Sequence, residues 1–220
     1  MRRVQSAGLV GTLGIVAATV LAGCGDVTGP NNLSILDIDV GVPTSWLEVG
    51  RNAITYAVGT ETHAHSGRYA LAIASNDTSQ ARFAGVGQFV KADAYRGKRV
   101  RLTAWVRQLN VVGTDVGLWM RVDGPGTIEG FDNFSTRSLS GTSDWHQVSV
   151  VLDVPDDAEG IAFGALMSGS GEFLVDDMTF EVIPPTGPTT NLLTDPAQVQ
   201  GSDYSGAPLA PLNLNFEAHF

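Results

Sequence analysis

The chain has 220 residues and a formal net charge of −10, with a pI near 4.6. An acidic surface repels phosphate backbones, so no nucleic-acid partner is expected, and a single cysteine leaves no internal disulfide or all-cysteine metal site. Glycine is frequent (26) against only 13 Lys plus Arg, a mix that suits turns and strands better than long surface helices.

The first residues read as a targeting segment. Arg2 and Arg3 form a basic start, and Leu9 to Ala22 is an apolar stretch of small residues. That stretch is short for a spanning helix, which needs roughly 20 apolar residues. It ends Leu21-Ala22-Gly23-Cys24. This ending resembles the lipobox of bacterial lipoproteins. The resemblance implies a signal peptide over 1–23, cleavage before Cys24, and lipidation of Cys24 with fatty acid such as palmitate. The expected partner is then a lipid bilayer, since several acyl chains anchor stably where one is marginal. The expected location is the bacterial cell envelope: the outer membrane, the periplasmic face of the inner membrane, or the cell surface. Residues 24–32 (CGDVTGPNN) are the lipidated cysteine and a tether.

Short alternating runs follow, split by polar turns. Strands are expected over Leu33–Val40, Ala53–Gly59, Tyr69–Ala74 and Ala81–Val90, then Arg99–Leu109, Asp115–Val122, Trp145–Val154, Gly160–Ser168 and Phe173–Ile183. Trp46 is delivered by a turn and reads as a hydrophobic plug, His63–Gly67 is a polar turn, and Ala92–Lys98 is a connection with about one helical turn. No helical period appears beyond the leader. The fold class is all-β: a two-sheet antiparallel β-sandwich of the jelly-roll type over 33–183, preceded by a signal helix. Residues 184–211 are rich in Pro, Gly and Thr and read as linker. Residues 212–220 (LNLNFEAHF) are expected to return as an edge strand, the alternative being a disordered vestige; an exposed hydrophobic strand would be an aggregation hazard.

A period of two assigns faces. Val100, Leu102, Ala104 and Val106 share one face of their strand, opposite Arg101, Thr103, Trp105 and Arg107. Val116, Leu118, Met120 and Val122 lie opposite Trp119, Arg121 and Asp123. The aliphatic rows are core. If the two strands are neighbours, Trp105, Trp119, Arg101, Arg107 and Arg121 form one polar-aromatic outer face, extended by Asp132 and Asn133 in the next loop. Sugar rings stack on aromatic faces while arginine and carboxamide groups bind hydroxyls, so this face is the candidate ligand platform. The competing reading, favoured for each ring taken singly, buries both tryptophans under the Gly130–Ser140 loop or in a second packing layer. Trp145, heading an amphipathic strand, is expected in the core.

Trp46, His65-Ser66-Gly67, Tyr95-Arg96-Gly97-Lys98, Trp145 and the closing Val175-Asp176-Asp177-Met178-Thr179-Phe180 resemble the galactose-binding-like and carbohydrate-binding-module jelly rolls. The resemblance implies a non-catalytic binding module with glycan as the ligand class. It also implies a structural calcium between a first-strand acid, here Asp39, and Asp176 or Asp177. The first strand reads Leu36-Asp37-Ile38-Asp39, whereas the Asn-x-x-Phe-Glu wording of these families occurs in the tail at Asn213 to Glu217. The alternative function is a structural or protein-interaction lipoprotein that docks an envelope protein.

Other motifs read as turns and strands. His63-Ala64-His65 has no evident third metal ligand. Ser143, Asp144 and His146 sit on one strand whose alternation prevents a nucleophile–base–orienter relay. Gly169-Ser170-Gly171 lacks the nucleophile-elbow frame.

Overall fold

A computed structural model describes residues 38–51, 55–76, 78, 82–198 and 202–218. The leader, Cys24, the tether and most of the first expected strand lie outside the described residues.

Twelve strands form two six-stranded sheets. Sheet A runs β1-β3-β4-β11-β6-β9 and sheet B runs β12-β8-β7-β10-β5-β2. The strands are β1 (Asp39–Val40), β2 (Leu47–Arg51), β3 (Tyr56–Glu61), β4 (Ala70–Ser75), β5 (Phe83–Lys91) and β6 (Lys98–Val112). The remainder are β7 (Val116–Gly124), β8 (Thr127–Asp132), β9 (Gly141–Val154), β10 (Gly160–Ser168), β11 (Ser170–Ile183) and β12 (Ala197–Gln198). Every paired ladder is antiparallel. The expected all-β, two-sheet antiparallel architecture is the observed one. The alternation reading did not anticipate β2, β8 or β12, which are short and carry weak patterns.

The core lies between the sheets. Val100, Leu102, Ala104 and Val106 of β6 and Val150 and Leu152 of β9 face Leu118, Met120 and Val122 of β7 and Ile161, Phe163 and Met167 of β10, all fully buried. Burying each large aliphatic or aromatic side chain contributes about 1.5–3 kcal/mol. Trp46 plugs one end of this core, as expected from sequence: it is 4% exposed, edge-on to Phe163 and stacked on Phe216 at 5.1 Å.

One correction follows from topology. β6 and β7 are consecutive but belong to different sheets. The chain crosses between them at 113–115, where a Cβ on Gly113 would lie 1.9 Å from the Ser168 carbonyl oxygen. Each strand must bury its aliphatic row, and the two rows meet across the sandwich. Their outward rows therefore point to opposite sides of the molecule, and the single Trp105–Trp119 face expected from sequence does not form.

The C-terminal region needs a second correction. Residues 184–211 are not a free linker. Thr190 pairs with the outer edge of β9, its N–H donating to the Val151 carbonyl (2.8 Å) and its hydroxyl accepting from the Val151 N–H (2.9 Å). Leu192 N–H donates to the Phe131 carbonyl, and Lys91 N–H donates to that of Pro208. Residues 212–217 do return, but as turns and not as an edge strand. The buried Gln88 amide both donates to and accepts from the Leu212 backbone. Trp46 Nε1 donates to the Asn213 carbonyl (3.0 Å), Phe216 is fully buried, and Glu217 Oε1 accepts from the N–H groups of Arg68 and Tyr69. Positive φ at Asn213 (48°) and Phe216 (56°) interrupts any strand there.

Candidate functional site

The outward face of sheet B carries a cleft of about 560 Å³, within the range of small-ligand sites. Its shape follows from the residues that the ladder aligns. On β5 the outward row reads Phe83, Gly85, Gly87, Phe89: two aromatic posts with two glycines between them. Gly87 pairs with Gly164 and Phe89 with Ala162. Gly164 pairs with Trp119, and Ala162 with Arg121. Arg121 in turn pairs with Phe131. Glycine and alanine thus make the floor, while Phe83, Phe89, Phe131 and Leu166 stand around it.

Trp119 lies across that floor. Its Nε1 donates to the Val86 carbonyl (3.2 Å), and a Cβ on Gly87 would sit 2.7 Å from its ring. It packs with Ala162, Leu166, Val49 and Phe89, separate from the main core. At 9% exposure it is buried in a second packing layer, with only an edge of its ring left to the cleft.

Polar groups occur at two places. Arg121 and Ser202 lie together, and Asp115 and Asn133 lie together six residues back along β7, roughly 20 Å at about 3.3 Å per residue. Arg121 is gripped by Asp123, with Nε to Oδ1 and Nη2 to Oδ2 both 2.7 Å, and Nη2 also donates to Ser202 Oγ (2.8 Å). Tyr204 donates its hydroxyl to the same Asp123 carboxylate at 2.6 Å, and its ring covers Gly160. Burial of Tyr204 and the adjacent carboxylate both push its ionisation upward, so the phenol stays protonated. Burial disfavours the Arg121 charge, but Asp123 outweighs it and raises the guanidinium above its ordinary value. Asn133 Nδ2 donates to Asp115 Oδ1 (3.3 Å).

Of the residues expected at the ligand platform, Trp119, Arg121 and Asn133 line the cleft and the others do not. Asp132 is fully buried and staples its own loop, accepting from Phe134 N–H and from Arg137 Nη1 (3.0 Å) and Nη2 (2.6 Å). Trp105, Arg101 and Arg107 occupy the outer side of sheet A. Arg101 pairs with Glu181 (2.7 Å) and Arg107 approaches Asp144 (3.8 Å). Trp105 is stacked under His65 at 3.9 Å and 15°. Trp145 is half-buried on this outer side, edge-on to the same imidazole, and not in the core. Its parity with Gln147, which pairs with the outward Trp105, explains why.

The expected calcium ligands do not come together as a cage. Asp39 is exposed on β1, an edge strand. Asp176 is fully buried and accepts from the backbone N–H groups of His65, Ser66 and Asp177. Burial lifts its carboxyl to about 6 against those bonds. Asp177 holds the His65 imidazole and the Ser66 hydroxyl, each at 2.8 Å. Among the described residues no three His, Cys, Asp or Glu side chains are grouped to hold a metal. His63 is bound by Glu61, separately from His65. Ser143 Oγ does reach His146 Nδ1 (3.1 Å), because the β6–β9 register slips here. Asp144 offers that imidazole only its backbone carbonyl, so no relay is completed.

Sequence reasoning missed Phe83, Phe89, Phe131, Asp115, Ser202 and Tyr204. A signal for the first two was present: Phe-Ala-Gly-Val-Gly-Gln-Phe at 83–89 places Phe, Gly, Gly, Phe on one face, the pattern of a depression between two posts. Ser202 and Tyr204 carry no local signal, since their place depends on the path of the C-terminal region.

No protein-family model matches the chain. It is 33% identical over 175 residues to the uncharacterized HTH-type transcriptional regulator YbfP of Bacillus subtilis, covering 78% of this chain and 56% of that protein. The chain thus spans just over half the length of this curated relative. Among solved structures, the enzymatically active domain of tailspike protein 4 from bacteriophage CBA120 superposes with a TM-score of 0.50 at 14% identity, over 69% of this chain and 22% of that one. The CBM22-1 xylan-binding domain of Paenibacillus barcinonensis Xyn10C gives 0.46 at 13% identity, over 66% and 90%. At 14% identity the tailspike likeness concerns the fold alone.

Proposed function

We propose that this protein is a lipid-anchored binding module of the bacterial envelope that holds a glycan in the cleft of sheet B. The observation that carries the reading is the cleft itself: a glycine-floored depression with three phenylalanine rings around it, Trp119 across its floor and hydrogen-bonding groups at two separated places. Flat aromatic walls suit the C–H faces of sugar rings, and the spaced polar groups suit their hydroxyls. The anchor rests on the sequence alone, through Leu21-Ala22-Gly23-Cys24. The match to a transcriptional regulator fits a sandwich that supplies ligand binding to more than one kind of protein. Among the described residues there is no α-helix, so none of them forms a helix-turn-helix.

Two experiments test this. On a glycan array, the wild-type protein binds and Phe89→Ala and Phe131→Ala each lose about tenfold or more, while Trp105→Ala on the opposite side is unchanged. Loss only in Trp105→Ala, or no binding to any glycan, sinks the reading and leaves the structural or protein-docking lipoprotein in its place. Metabolic labelling with palmitate tests the anchor, and label that persists in Cys24→Ser rejects it.

A further inference from the structure

The arrangement at the Arg121 end of the cleft goes beyond glycan binding in general and rests on that reading. We propose that Arg121, held by Asp123 and Tyr204, is the donor that selects the ligand there, and that it selects an uncharged oxygen-bearing group over a carboxylate.

An arginine that recognises a carboxylate normally offers the two parallel N–H groups of its fork. Here the Nε/Nη2 edge of Arg121 already faces Asp123, with both N···O separations at 2.7 Å; Nη2 donates to Oδ2, while Nε is buried against Oδ1 without hydrogen-bond geometry, so that edge is closed to a ligand. Asp123 is only 1% exposed, so no solvent rearrangement frees that edge. Tyr204 fixes the carboxylate from behind, and Ser202 takes a further bond from Nη2. Nη1 makes no hydrogen bond with the described residues, and Arg121 lines the cleft. The donors that remain are thus the two N–H groups of one nitrogen, Nη1, which diverge and form no fork with a second free nitrogen, on a guanidinium whose charge is locally matched.

The surroundings disfavour an anion. The other charged residue lining the cleft is Asp115. Behind Arg121, Glu129 is lifted above its ordinary range first by burial and then by Asp157, Asp123 and Glu159 nearby. The whole chain is at −10. A ligand carboxylate would meet one neutralised cation in a field of acids, whereas a hydroxyl or ring oxygen needs only one N–H group of Nη1. Tyr204 and Asp123 are positioning residues in this scheme. They set which edge of Arg121 remains and cancel its charge.

The test measures the full-length protein in detergent by titration calorimetry against three matched tetrasaccharide pairs: glucose and glucuronate, galactose and galacturonate, mannose and mannuronate. The wild type prefers the neutral member of any pair it binds by at least tenfold. That affinity changes less than twofold between 0.05 and 0.5 M salt, a readout that needs no variant. Asp123→Asn uncovers the Arg121 charge and moves the preference toward the uronate by at least tenfold, which a merely structural loss would not do because it weakens both members alike. A wild type that prefers uronates, a several-fold salt dependence, or an unmoved preference in folded Asp123→Asn overturns the proposal and leaves glycan binding standing. Failure to bind all six removes both.

Discussion

The two outer faces of the sandwich carry the same kinds of residue and do different things with them. Each has a tryptophan with an arginine two residues further along its strand, Trp105 with Arg107 and Trp119 with Arg121. On sheet B, Trp119 lies over Gly87 and Gly164, and larger side chains rise around it, so the face is concave. On sheet A, Trp105 is capped by His65, and the neighbouring arginines pair with Glu181 and Asp144 at the surface. An aromatic beside an arginine is therefore not itself a site. The cross-strand neighbours decide: glycine lets the Trp119 ring lie flat on its sheet, below the side chains around it, whereas a stacked imidazole covers Trp105.

Truncating the two rings should give the largest contrast. Trp119→Ala removes a ring that is 9% exposed and is expected to cost about 3–5 kcal/mol in urea denaturation. Trp105→Ala removes a half-buried ring and is expected to cost about 1–2 kcal/mol by the same scale. Equal losses would break the comparison. Asp132→Ala tests whether the loop bordering the cleft is held from within. It strands Arg137, which is one-third exposed, and is expected to cost about 3 kcal/mol, with weaker ligand binding only as a consequence of unfolding.

On sheet A the sharper probe is pH. The Asp176 carboxyl is raised to about 6 in the folded state against 3.8 ordinarily. The folded chain therefore holds this proton more tightly than the unfolded chain does. The contribution is present in full below about pH 4 and is lost as pH rises through 6, on the order of 3 kcal/mol. Comparing denaturation midpoints from pH 4 to 7, Asp176→Asn should remove this decline; a parallel decline in the variant would refute the assignment. The smallest effect is expected from Arg101→Ala. Its ion pair with Glu181 is nearly half exposed on both sides and should be worth less than about 1 kcal/mol, with no change in cleft binding.

Much of this molecule could be read in advance. Alternation in β6 and β7 identified the aliphatic rows, because a period of two fixes which side chains share a face wherever one face must be buried. Trp46 as a plug and the sandwich itself followed from the same local physics. The positions of the cleft residues were partly legible, through Trp119, Arg121 and Asn133, and the Phe-Gly-Gly-Phe row on β5 held information that alternation could have extracted.

What the sequence determined alone was the parity of the strands that alternate clearly and most of the core, together with a chain segment at Leu21–Cys24 that resembles a lipobox. Only the tertiary structure decided which strands share a sheet, and so that Trp105 and Trp119 look away from each other. It also decided that a Pro- and Gly-rich tail closes the domain, with Tyr204 on Asp123 and Phe216 under Trp46. The reason is physical. Side-chain direction within a strand is a local property of the backbone, whereas the sheet each strand joins is set by pairings more than 40 positions apart, such as Trp105 with Gln147 and Trp119 with Gly164, and the docking of Tyr204 and Asn213 by contacts more than 80 apart, which no short pattern encodes.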